Sequence, residues 1–182
     1  MAEQAIKRPA AILPFLEPLR AMGSLALQPA GRRLFGFAPD GDQHPVLTLP
    51  GFLGGDGSTL LIRRYLNSKN YRAYAWNLGR NNGPHTSGLN GELLDKRINE
   101  IYDETGEKVS LVGWSLGGVM ARNAAKRMPD RVRQVITLGS PFEATRKSST
   151  IAPLFRLISG YDPDHEAFED ILDYNRPPPP AE

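Results

Sequence analysis

Lys108-Val109-Ser110-Leu111-Val112-Gly113-Trp114-Ser115-Leu116-Gly117-Gly118 is the stretch that decides the fold. An apolar, strand-like run at 108–112 gives way to a helix-like run at 116–128, and Ser115 stands at the junction. A residue on so sharp a strand-to-helix turn is held in a strained backbone. The chain then crowds itself two residues before that residue and two after it. Glycine at those places removes the β-carbons that would collide. Gly113 and Gly117 occupy them, and Gly118 lets the following helix approach the sheet. The spacing G-x-S-x-G is common by chance. Its place at the end of an apolar strand and the start of a helix gives it weight.

The neighbouring segments extend the pattern. Residues 45–49 form a short apolar run that ends in Pro50-Gly51, and Ser58 is placed to cap a helix over 58–68 with Leu60, Leu61, Tyr65 and Leu66 along one side. Residues 71–76 read as a second strand and 77–88 as a polar loop rich in Gly and Asn. A helix is predicted over 89–104, where Leu89, Leu93, Leu94, Ile98, Ile101 and Tyr102 recur at helical spacing and Gly106 marks the end. Pro129 closes the helix that follows Ser115, and 132–138 is a fourth strand. Strands alternating with helices predict a mostly parallel sheet covered on both faces, a three-layer α/β domain. Residues 1–44 read as an irregular N-terminal arm broken by Pro9, Pro14, Pro18 and Pro29. The core is assigned to 45–145. Residues 146–182 read as a cap or lid of short helices, at 151–158 and 166–174, ending in the Pro-rich tail at 177–180.

A chain of 182 residues suits one domain with a real core. Net charge is only +2 and the basic residues are scattered in pairs such as Lys7-Arg8, Arg32-Arg33 and Arg63-Arg64, so no nucleic-acid partner is expected. The absence of cysteine removes disulfides and thiolate metal sites. Three scattered histidines have no metal-ligand spacing, so neither metal nor cofactor is expected. No segment reaches the ~18 apolar residues that span a bilayer. The apolar run at 10–16 is interrupted by Pro14 and followed by Glu17, Pro18 and Arg20, too early for a signal peptide, and the expected location is the cytoplasm. Nothing in the sequence speaks to oligomeric state.

Two constellations carry chemistry. Ser115 reads as an acyl-transfer nucleophile, the alternative being a serine that caps the next helix. The second is the glycine-rich turn at 49–58, which follows the first parallel strand. Its backbone N–H groups can face a developing negative charge, with Phe52 supplying one oxyanion-hole donor and Leu116, directly after Ser115, the other. A phosphate-cradling loop is the rival. It fails because no Lys precedes Ser58-Thr59, and Leu60 breaks the spacing of a dinucleotide-binding loop.

Together Pro50-Gly51-Phe52-Leu53-Gly54-Gly55, the run from Gly113 to Gly118, and Thr137-Leu138-Gly139-Ser140-Pro141 resemble the α/β-hydrolase superfamily, in particular bacterial triacylglycerol lipases and related esterases. The resemblance covers 45–145. In those lipases the first piece usually begins His-Gly, where this chain has Pro50, and the residue before the nucleophile is often His, where this chain has Trp114. Neither departure removes a backbone donor. The resemblance implies hydrolysis of small-molecule carboxylic esters or lipids without a cofactor.

A serine nucleophile needs a histidine base and a carboxylate to orient it, in the superfamily in the order Ser, acid, His. After Ser115 one further strand is recognisable and His165 is the sole histidine, beside Asp162 and Asp164 in one short stretch. Residues so close together rarely reproduce a geometry drawn from two strand ends, and His165 reads better as a surface histidine of the lid. His44 reads as structural or exposed. His85 could line the mouth of the site but precedes Ser115. Residues 162–173 carry the carboxylates of a solvated helix face. One expectation unites these absences: the fold lacks its C-terminal part, with the acid and histidine on strands beyond residue 182, and the strand at 132–138 is left as an apolar sheet edge. The reading is a serine hydrolase whose triad is incomplete in this chain. The alternatives are a non-catalytic α/β-hydrolase-like binding protein and an acyltransferase.

Overall fold

The computed structural model describes residues 38–140. The predicted arm before residue 38 and the predicted lid after residue 140 therefore lie outside the described residues. Strand β1 (Pro45–Leu49) leads through a 3-10 turn (Asp56–Thr59) into α1 (Leu60–Ser68) and then β2 (Arg72–Ala75). The single-turn α2 (Pro84–Ser87) and the longer α3 (Glu92–Thr105) follow. Then come β3 (Val109–Trp114), α4 (Leu116–Arg127) and β4 (Val132–Leu138). The four strands pair in parallel in the order β2-β1-β3-β4. β1 is buried throughout and β3 from Val109 to Gly113, the continuous burial of a parallel sheet covered on both faces.

Side-chain alternation separates the layers. Leu47 and Leu49 join Leu94, Ile98 and Ile101 of α3 and Met120, Ala121, Ala124 and Ala125 of α4 in the apolar core. Each of the larger aliphatic side chains contributes about 1.5–3 kcal/mol through its burial. Thr48, between them, points the other way and bonds Thr59 and Arg63 on the α1 side. The right-handed crossover rule gives the same division. The chain steps one way along the sheet from β1 to β2 and back the other way to β3 and β4, which puts α1 on one face and α3 and α4 on the other.

Several boundaries differ from the sequence reading, each for a local reason. Ser58 does not cap a helix: its hydroxyl donates to the Gly55 carbonyl (2.7 Å) inside the 3-10 turn. Leu60, Leu61 and Tyr65 are exposed. The inward stripe of α1 is Ile62, Arg63 and Leu66 instead, continued from Thr59 just before the helix. Arg63 is tolerated there because Thr59 Oγ1 (2.6 Å), Thr48 Oγ1 (3.2 Å) and the Asp56 carbonyl (2.8 Å) accept its N–H groups. Residues 84–87 form one helical turn where a loop is expected. α3 starts at Glu92, after Gly91 at φ 83°, and leaves Leu89 and Leu93 exposed. It ends as expected at Gly106, whose φ of 71° suits glycine and whose N–H reaches the Tyr102 carbonyl (2.7 Å). Among the described residues β4 is the last strand of the sheet, with Ile136 and Leu138 exposed.

A polar bolt closes the end of the sheet where the strands begin. His44 is buried, its Nδ1 bonded to Asp42 and its Nε2 2.8 Å from Ser110 Oγ on β3. Gln134 of β4 donates to the same Ser110 hydroxyl (3.2 Å), and Arg133 donates to Asp42 (2.9 Å). A bulge in the β3–β4 pairing, where Val109 faces Val132 and Ser110 faces Gln134, frees Arg133 for that contact. The bonds from His44 first and Arg133 second hold the Asp42 carboxyl well below the ordinary carboxylate range. Its folded pKa is depressed, so its contribution to stability is complete above the ordinary value of 3.8 and is lost as pH falls below it. His44→Ala, which leaves a buried Ser110 hydroxyl short of a partner, is expected to cost about 1–3 kcal/mol in urea unfolding. Asp42→Asn is expected to lower Tm at pH 7, and the difference from the native chain is expected to narrow steadily in melts as pH falls below 3.8, closing only once Asp42 is protonated in the folded state.

Candidate functional site

The paired ends of β1 and β3 build the site, since Leu49 lies opposite Gly113 and the two chains leave the sheet side by side. From β3 the chain turns through Ser115 at φ 52° and ψ −119°, a left-handed backbone that a residue with a β-carbon rarely adopts. The Ser115 N–H donates to the Leu138 carbonyl (2.9 Å), and its carbonyl accepts from Gly118 N–H (3.0 Å) and Ser140 Oγ (2.8 Å). Three partners on two sides hold the strained residue in place. A β-carbon on Gly113 would run into the backbone of Gly117 and Gly118. One on Gly117 would lie 2.5 Å from the Leu49 carbonyl oxygen and 2.6 Å from that of Pro50. One on Gly118 would overlap the Ser140 hydroxyl and lie 3.0 Å from the Gly113 carbonyl oxygen. The glycines singled out in the sequence are required by these contacts.

Ser115 occupies the N-cap position of α4, yet its side chain makes no capping hydrogen bond. Its positive φ also departs from the extended backbone usual at that position. The capping role considered from the sequence is therefore not what the structure shows. Leu116 is the first residue of α4, so its N–H has no partner within the helix, and the positive end of the helix dipole lies at Ser115.

The 50–54 turn packs directly against this corner. A β-carbon on Gly51 would stand 3.3 Å from the Trp114 carbonyl oxygen and 3.4 Å from Ser115 Cβ, so the residue before Phe52 touches the serine. Gly54 N–H closes the turn onto the Gly51 carbonyl (2.9 Å). The turn that carries Phe52 therefore meets the chain at Ser115, one residue before Leu116. Trp114 is exposed beside them, 47% accessible, an aromatic face at the rim.

Of the two described histidines, His44 lies far from this corner. His44 sits at the opposite end of the sheet, bonded to Ser110, which precedes Ser115 by five strand positions and hence by roughly 16 Å. The Asp42–His44–Ser110 cluster imitates a catalytic arrangement, but Ser110 is 1% exposed and the cluster ties strands together. His85 is exposed on α2, and Ser115 Oγ makes no hydrogen bond with any described residue. His165, Asp162 and Asp164 lie outside the described residues. Among the described residues no cluster of histidine and carboxylate side chains could hold a metal ion, and no helix is long and apolar enough to cross a membrane.

One residue of the site was hidden in the sequence. Asn81, in the loop after β2, is fully buried and bonded to the 50–54 turn through both its backbone and its side chain. In a Gly- and Asn-rich loop an asparagine reads as a turn former, so its sequence context gave no sign of this.

The profile of the alpha/beta hydrolase fold matches residues 45–162. The chain belongs to the alpha/beta hydrolase fold family. The resemblance carried by 50–55, 113–118 and 137–141 is correct at the level of the family. This α/β-hydrolase is 33% identical over 89 residues to a pimeloyl-(acyl-carrier protein) methyl ester esterase of Aliivibrio fischeri, a match covering 48% of this chain and 34% of that protein. It is 30% identical over 128 residues to serine hydrolase BPHL of Homo sapiens, covering 66% of this chain and 43% of that protein. A monoacylglycerol lipase of Paleococcus ferrophilus superposes with a TM-score of 0.49 at 24% identity, over 67% of this chain and 50% of that one. The chain thus spans about a third of the esterase and under half of the serine hydrolase.

Proposed function

We propose that this α/β-hydrolase acts on carboxylic esters, including lipid esters, through an acyl-enzyme on Ser115. The observation that carries the reading is the Ser115 backbone at φ 52°, held by Leu138, Gly118 and Ser140 with the side chain released from any capping role. Strain of about 1–3 kcal/mol is retained only where the surroundings enforce it, and it clusters at working residues. In this reading Ser115 Oγ bonds to the ester carbonyl carbon and gives its proton to a histidine base. The N–H groups of Phe52 and Leu116 take the negative charge that forms on the carbonyl oxygen, each worth about 3 kcal/mol in the transition state. The alcohol leaves with a proton, and water then releases the acid and regenerates the serine. The esterase named among the relatives favours an ester over other acyl compounds as substrate.

Hydrolysis of a series of p-nitrophenyl esters of increasing acyl length tests the proposal. Ser115→Ala is expected to reduce turnover about 10³-fold or more, to background. Added alcohol acceptors separate hydrolysis from transfer, because an acyltransferase forms new ester faster than free acid. Native protein with no turnover above Ser115→Ala would favour a non-catalytic, ligand-binding α/β-hydrolase-like protein.

A further inference from the structure

The 50–54 turn is not self-supporting. Leu53, the third residue of the Gly51–Gly54 β-turn inside it, has φ 61°, a conformation that turns of this kind normally assign to Gly or Asn. Gly54 N–H closes it onto the Gly51 carbonyl (2.9 Å). A leucine there pulls the backbone toward other conformations, and any relaxation would move Phe52, which lies between Gly51 and Leu53.

Asn81 supplies what the turn lacks. Its carbonyl accepts the Leu53 N–H (2.8 Å) and its N–H donates to the Gly54 carbonyl (2.8 Å), a two-way clamp on the strained residue and its successor. Its side chain reaches the other end of the turn, with Nδ2 donating to the Pro50 carbonyl (2.7 Å). The Pro50 carbonyl borders α4 at Gly117, and Nδ2 also approaches Met120 Sδ of α4 (3.4 Å). The amide is itself immobilised, because Oδ1 accepts Gly83 N–H (3.0 Å) and the residue is fully buried. Both polar ends of the side chain are used, so its orientation is fixed. One buried residue therefore grips the turn at Pro50, Leu53 and Gly54.

We propose that Asn81 is a positioning residue that fixes the 50–54 turn, and with it the Phe52 N–H, against Ser115. The proposal rests on the reading of Ser115 and Phe52 given above. Asn81 would touch no substrate, acting only through the turn it holds.

Asn81→Asp in the full chain is the test. It keeps the size and the acceptor facing Gly83 but places an oxygen against the Pro50 carbonyl, removing the one side-chain bond to the turn. Two measurements are made on native and variant protein. Amide hydrogen exchange by NMR reports the tether, and the rate of covalent reaction of Ser115 with a fluorophosphonate, resolved into binding and bond-forming steps, reports the site. The expected result is a loss of at least tenfold in protection at Leu53, with β1 and α4 amides unchanged. The bond-forming step should slow at least tenfold while reagent binding stays within twofold. Asn81→Ser, smaller and uncharged, is the second variant in case the aspartate prevents folding, and the same changes are expected of it. Unchanged Leu53 protection in a folded variant would overturn the proposal. So would a lost tether with an unchanged reaction rate, which would make Asn81 structural only. Native protein that fails to react at Ser115 would overturn the catalytic half of the proposal together with the parent reading. Leu53 protection would still report whether the tether exists.

Discussion

Gly113→Ala is expected to yield little or no folded protein. The added methyl group meets the Gly117 carbonyl and Gly118 Cα, both backbone, so no side chain can swing aside. Nor can the first turn of α4 retreat as a body, because Gly117 is pinned on its other side by the carbonyls of Leu49 and Pro50. Overpacking in cores costs about 1–3 kcal/mol where side chains can adjust. Here neither neighbour can adjust, and a cost of about 4 kcal/mol or more is expected, a large part of the 5–15 kcal/mol that holds a typical domain together. Gly57→Ala provides the contrast. Its β-carbon would meet nothing within 4 Å, so its urea midpoint should stay close to native, within about 0.5 kcal/mol. Urea unfolding of the pair, with soluble yield as a first indicator, checks both.

Ser115→Gly is expected to stabilise the fold and to abolish covalent reactivity in the same step. Glycine adopts φ 52° without the penalty that a β-carbon brings, relieving strain of about 1–3 kcal/mol. Its greater freedom in the unfolded chain takes back about 0.5–1 kcal/mol. A net gain of about 1 kcal/mol, or a Tm higher by about 2–4 °C, is expected in a thermal melt. Ser115→Ala keeps the β-carbon and the strain, and its Tm should remain near native while reactivity is equally lost. A serine placed where glycine would be more stable is a position at which stability gives way to chemistry. Equal Tm values for Ser115→Gly and native protein would remove the strain on which that reasoning depends.

The parts of the fold that were legible in the sequence are those set by local pattern. β1 and β4 have the predicted limits because their apolar runs are bounded by Pro50, Pro129 and Gly139. Gly113, Gly117 and Gly118 were legible because a strand-to-helix corner imposes its own spacing. What stayed hidden depends on contacts across the chain. Arg63 reads as a surface charge until Thr48, fifteen positions away, is seen to accept its N–H. The inward face of α1 was misread because Leu60, Leu61 and Tyr65 present the larger apolar stripe, while the face that packs carries Thr59 and Arg63. His44 and Ser110 meet over 66 positions, and Asn81 meets Pro50 over 31, with no periodicity to announce either pairing. In the candidate site Ser115, Phe52 and Leu116 were named from the chain alone. Asn81 was not, because a buried asparagine and a turn-forming one look the same in a polar loop.

The central claim is that Ser115 is a nucleophile, and covalent labelling of the native protein by a fluorophosphonate probes it most directly. The expected result is one adduct per chain, located at Ser115 by peptide mass and absent from Ser115→Ala. Reaction of the native protein no faster than that of Ser115→Ala, or an adduct found on another serine such as Ser110, would contradict it.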